Sequence, residues 1–163
     1  MTRIQIEKVL KKPKEDKSGL ADICFKDKKH SINMTVQFDD DISHKGKIDA
    51  DIILYAYDDY DVYEDEEQFN IKNEYSLSPE SFIPIGNLQT ENPNFKKNPD
   101  NFISGIVLSS REFDDYYAVE LKSLGITYYA NYHKNKPMPK AGNVISSVYV
   151  TYIETIKEED YVN

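Results

Sequence analysis

One cysteine, no tryptophan, six glycines and three histidines are all that this chain of 163 residues offers to most reactive chemistries. Cys24 has no second thiol in the chain to pair with, which fits a reducing compartment and rules out an intrachain disulfide. It sits in Ala21-Asp22-Ile23-Cys24-Phe25, a setting that reads as core. The glycines are scattered, so no glycine-rich loop can cradle a phosphate. Cys24, His30 and His44 lack the spacing of a zinc site. The acidic runs Asp39-Asp40-Asp41 and Asp58, Asp59, Asp61 lack the glycine that turns a calcium loop. A nucleophile would have to be Ser109, Ser110 or Cys24 with His30, His44 or His133 as base, and no serine-hydrolase or cysteine-protease signature surrounds any of them. The acids are too numerous for a glycosidase pair to be picked out. The expectation is a protein that is not an enzyme and needs no metal or cofactor.

Long apolar runs are missing too. Nothing approaches the roughly 18 residues of a membrane-spanning helix, and residues 1–17 contain no apolar core of a secretory signal. The expected location is the cytoplasm, with no membrane partner. The abundance of Lys, Asn, Ile, Asp and Tyr resembles the product of an AT-rich bacterial genome.

What is present is aromatic and acidic. Thirteen tyrosines and seven phenylalanines, in a chain 39% hydrophobic, exceed what a disordered chain carries and favour strands. The net charge of −9 is unevenly placed. Residues 1–36 carry nine basic and five acidic side chains, residues 37–91 three and fifteen, and residues 92–163 eight and nine. The lysines at 8, 11, 12, 14, 17, 26, 28 and 29 are interrupted by Glu7, Glu15, Asp16, Asp22 and Asp27. Solvated loops account for them better than a basic face does.

Alternation of apolar and polar residues predicts strands at residues 2–9, 20–25 and 32–38. The segment 47–57, KIDADIILYAY, sets Ile48, Ala50, Ile52, Leu54 and Ala56 on one face. The acids near Glu64 suit the first turn of a helix over residues 64–75, with Phe69 and Ile71 packing inward. Ser78 before Pro79 predicts one further helical turn, and Pro84 among Phe82, Ile83 and Ile85 an edge or irregular segment. Residues 87–100 read as a polar linker. The clearest stretch is 101–156, with strands at 102–108, 117–121, 126–132 and 144–156. Gly105 marks a bulge or tight bend, Gly125 a turn, and the acidic tail 158–163 a frayed end.

Ser78-Pro79-Glu80-Ser81-Phe82-Ile83-Pro84-Ile85-Gly86 and Ile103-Ser104-Gly105-Ile106-Val107-Leu108 resemble segments of a family of small bacterial proteins. So do Val119-Glu120-Leu121-Lys122-Ser123-Leu124-Gly125 and Pro139-Lys140-Ala141-Gly142-Asn143-Val144-Ile145-Ser146. The family shows SPExFxPxG, SGxVL, VETLGG and PxxGxxVxGxFWLxG motifs, and several members look like variants of the oligonucleotide/oligosaccharide-binding (OB) barrel. The resemblance covers roughly the last half of the chain. Here Ile126 replaces the second hairpin glycine, and Val148-Tyr149-Val150 lacks the tryptophan. The family brings no catalytic residues.

The expected fold is therefore mainly β, a β-rich α+β chain. Residues 101–156 form an OB-like antiparallel barrel, and residues 1–91 a β-rich extension with one short helix and an acidic segment, in one compact unit. Two functions follow. The acidic, tyrosine-rich stretch Tyr57, Asp58, Asp59, Tyr60, Asp61, Tyr63, Glu64, Asp65, Glu66 and Glu67 offers charge to steer a basic protein and aromatics to anchor it, as an immunity-type protein does with a toxin. The alternative is single-stranded nucleic-acid or oligosaccharide binding by the barrel. Tyr116, Tyr117, Tyr128, Tyr129, Tyr132 and Tyr149 would then stack, with Arg111, Lys122, Lys134, Lys136 and Lys140 nearby. The acidity of the chain disfavours nucleic acid.

Overall fold

The computed structural model describes residues 1–40, 42, 46–88, 94 and 96–155. Among them are nine strands in one sheet: β1 (Thr2–Lys11), β2 (Gly19–Lys26), β3 (Ser31–Phe38), β4 (Lys47–Tyr63), β5 (Ser81–Ile83), β6 (Asp100–Glu112), β7 (Tyr116–Ser123), β8 (Ile126–His133) and β9 (Val144–Thr155). One helix, α1 (Glu66–Lys72), and a 3₁₀ turn at Ile85–Asn87 complete the described elements. The fold is mainly β and barrel-like, as the alternation predicts.

The sheet is built around the antiparallel pair β4–β9, which runs from Ala50 opposite Thr155 to Tyr63 opposite Val144. The second edge of β4 is taken first by β1, with Thr2 opposite Ala50. It is then taken by β8 in parallel, with Ile53 opposite Tyr129. The second edge of β9 is shared in the same way between β6 and, at Tyr152, β3. The sheet thus closes on itself twice. One circuit runs β1, β2, β3, β9, β4; the other runs β6, β7, β8, β4, β9. The meander of the last third supplies four staves of the second circuit, and the fifth is β4.

Period two fills the interior. Ala50, Ile52 and Leu54 of β4, Val119 and Leu121 of β7, Ile126, Tyr128, Ala130 and Tyr132 of β8, and Ile145, Tyr149 and Ile153 of β9 belong to one apolar cluster. It continues into the first circuit through Ile4, Ile23, Met34 and Phe38. Tyr132 and Tyr149 share a hydrogen bond of 2.5 Å in this interior. Asn101 closes the fork where β9 passes from β6 to β3. Its Nδ2 lies 2.8 Å from Thr151 Oγ1, 3.3 Å from the Pro99 carbonyl and 3.4 Å from the Thr35 carbonyl.

Several local expectations need correction. The helix is shorter than residues 64–75. Asp65 caps it by accepting from the Gln68 backbone N–H at 2.7 Å, and the positive φ of Glu74 and Tyr75 (53° and 57°) turns the chain away after it. A helix of two turns buries only Phe69, and Ile71 stays 56% exposed. Ser78 and Pro79 start no helical turn; Ser78 Oγ instead accepts from the Glu80 N–H at 3.3 Å. The bulge of β6 falls between Val107 and Ser109 rather than at Gly105. Gly105 serves close approach: a Cβ there would lie 2.8 Å from both Leu121 Cγ and the Lys122 carbonyl. Ile156 and the acidic tail 158–163 lie outside the described residues, as does most of the middle of the 87–100 linker.

Candidate acidic surface at the end of β4

Residues 57–67 occupy the last part of β4 and the start of α1. The local geometry follows from a defect in the ladder. Ala56 faces Tyr149 and Tyr60 faces Ser147, so β4 takes four residue steps where β9 takes two. The surplus residues bulge out. Strict alternation would send Asp58 inward with Ala56 and Tyr60. A lone carboxylate in that apolar interior would cost several kcal/mol. The bulge relieves this by placing Asp58 and Asp59 in solvent.

Backbone contacts fix the bulge in place. Ser147 Oγ donates to the Asp59 carbonyl at 2.9 Å, and Asn135 Nδ2 to the Asp58 carbonyl at 2.9 Å. The Tyr57 phenol donates to Asp100 Oδ1 at 2.7 Å. That bond to a carboxylate, with partial desolvation, pushes the Tyr57 phenol up to about 12.

The ten expected contact residues divide by exposure. Asp58, Asp59, Asp61, Glu64, Asp65, Glu66 and Glu67 are exposed, as is Tyr57 at 47%. Tyr63 is half-buried and packs edge-on against Phe69, with ring centres 4.8 Å apart. Tyr60 is a core residue, 2% exposed, whose phenol donates to the His133 carbonyl at 2.7 Å. It is closed to any partner. Asp58 lies 3.4 Å from His133 Nε2, with both groups well exposed. Among the described residues no lysine or arginine pairs with Asp59, Asp61, Glu64, Asp65, Glu66 or Glu67. The positive end of the helix dipole offsets part of the charge of Asp65, Glu66 and Glu67.

The other candidate groups do not converge. Cys24 is half-buried on β2, His30 contacts Asp27, and His44 lies outside the described residues. The His30 hydrogen bond holds the Asp27 carboxyl below its ordinary value. Ser110 Oγ donates to the Pro139 carbonyl, and no histidine ring bonds a serine or the thiol among the described residues. No three His, Cys, Asp or Glu side chains among them gather around a point where a metal could sit. No helix among them is long and apolar enough to cross a membrane. The lysines of the first third are exposed but divided. One set flanks the start of β2 and the other its end, and an eight-residue strand separates them by roughly 25 Å.

Of the tyrosines expected to stack bases, Tyr117, Tyr128, Tyr132 and Tyr149 are interior. Burial holds the last three phenols well above their ordinary range. Tyr116 and Tyr129 face outward. Of the cations, Arg111 lies over Phe113, Lys134 pairs with Glu112 at 2.7 Å, and Lys136 reaches over the ring of Tyr60. Tyr55, Phe113, Asn131 and His133 also face outward, and sequence alone assigned Tyr55, Phe113 and Asn131 no role. Their signal was the opposite phase of the same alternation that marks the core. No protein-family model matches the chain, and no curated protein or solved structure matches it either.

Proposed function

We propose that this protein is a non-enzymatic binding module that holds a basic protein against the acidic end of β4 and the start of α1. The observation that carries the reading is the bulge at residues 57–59 together with six neighbouring carboxylates that have no cationic partner among the described residues. Like charges gathered without a cationic partner repel one another, and a cationic surface docking there relieves that repulsion. Tyr57 supplies an aromatic face beside them, held by Asp100. An immunity-type role, neutralising a basic toxin, is one form this binding takes.

The test is parallel purification of the full chain and of its Asp58→Lys, Asp61→Lys, Glu64→Lys variant from the source cell. All three side chains are exposed, so the fold should survive. The expected result is a basic protein retained by the native chain, released by salt and absent from the variant. Equal retention by the variant, or no basic protein in either eluate, counts against the reading.

A further inference from the structure

The outer face of β6, β7, β8 and β4 carries a trough that the acidic end does not use. Register builds it. Arg111 lies beside Ala118, Ala118 beside Asn131, and Asn131 beside Tyr55. Tyr116 faces His133 in the next row. A hollow remains on each side of Asn131, of about 400 and 290 Å³, and Ala118 is too small to fill the floor of the smaller one. Tyr55 and Tyr116, 47% and 38% exposed, stand on opposite sides of the larger one. Phe113 and Tyr129 line the smaller. The walls are held rigid: Phe113 stacks on Tyr116 with ring centres 4.9 Å apart and planes 9° from parallel, and the Arg111 guanidinium caps the stack 5.3 Å from the Phe113 centre.

We propose that this trough binds a neutral oligosaccharide. A pyranose ring has an apolar face of C–H groups, which the exposed rings of Tyr55 and Tyr116 match. Its rim of hydroxyls both donates and accepts. The trough supplies acceptors in Asp115 and Glu120 and a donor in Arg111. Asn131 adds an acceptor as well, because its Nδ2 contacts the Leu54 carbonyl at 3.4 Å while its Oδ1 has no partner among the described residues. A mostly aromatic concavity with a few converging polar groups is the ordinary form of a small-molecule site.

Charge and topology narrow the ligand. Two carboxylates against one guanidinium repel a phosphate backbone. An extended peptide would need a free strand edge for its backbone; β7 is paired on both sides here, and β4 and β8 are paired with each other through Tyr55 and Asn131. This site adjoins the acidic surface at His133 but uses none of its carboxylates, so its failure would leave that reading standing.

The test uses nitrogen–proton correlation spectra of the full chain, titrated separately with cellohexaose, maltohexaose, chitohexaose and xylohexaose, and with oligothymidylate. One of the sugars should move the amides of residues 116–120 and 129–133 saturably. Tyr116→Ala should weaken that binding about tenfold, and Ala118→Arg, which fills the trough floor from an outward position, should abolish it. The proposal is overturned if none of the four sugars moves these amides at about 10 mM. It is equally overturned if binding persists unchanged in both variants, or if only oligothymidylate binds there.

Discussion

The Tyr57 phenol donates to the Asp100 carboxylate at 2.7 Å across 43 positions of sequence, joining the bulge of β4 to the first residue of β6. This bond delays ionisation of the Tyr57 phenol. The folded phenol is raised from its ordinary 10 to about 12, chiefly by that bond. A raised value means the contribution is complete below pH ~10 and is lost as pH climbs through the folded value. Tyrosinate absorbance should therefore show one exposed tyrosine titrating near 12, and Asp100→Asn should bring it back toward 10. An unchanged titration in that variant would show that the bond does not hold the phenol.

The Tyr132–Tyr149 pair should behave as a unit. Each phenol is fully buried and satisfied by the other. Replacing either by Phe leaves one hydroxyl without its partner and should cost about 1–3 kcal/mol in denaturant unfolding. Replacing both removes the two polar groups together, and the double variant should lose less than the sum of the singles. In alkali both phenols should stay protonated until the barrel unfolds, because burial raises them well above solvent tyrosines.

Asn101 makes a second test of the architecture. It lies where β9 changes neighbours, and its amide touches β3, β9 and the residue before β6. Asn101→Ala strips the Thr35 and Pro99 carbonyls and the Thr151 hydroxyl of that amide and should destabilise the chain by about 1–3 kcal/mol. Binding at residues 57–67 should be unaffected in molecules that remain folded. A loss much below this range would mean that the fork is held by strand pairing alone.

The local half of the fold was legible. Val119, Leu121, Tyr128 and Tyr132 follow period two, and burial by alternation is a property of each strand by itself. The closure was not legible, because β4 meets β8 across residues such as Leu54 and Ala130, and nothing in local periodicity encodes a pairing that distant. Neither was the bulge. Sequence alone presents Tyr57, Tyr60 and Tyr63 as equivalent anchors. The bulge keeps Asp58 in solvent while Tyr57 stays outside and Tyr60 enters the core, and Tyr63 is fixed by Phe69 of α1. The same blindness hid the trough, since Tyr55, Ala118 and Asn131 become neighbours only through register between strands.

The most direct measurement for the acidic surface is amide hydrogen exchange of the full chain with and without its captured basic partner. The account predicts added protection across residues 57–67, with Asp59 and Asp61 at its centre, weakening as salt is raised. Protection confined to other strands, with residues 57–67 exchanging as they do in the free chain, would contradict it.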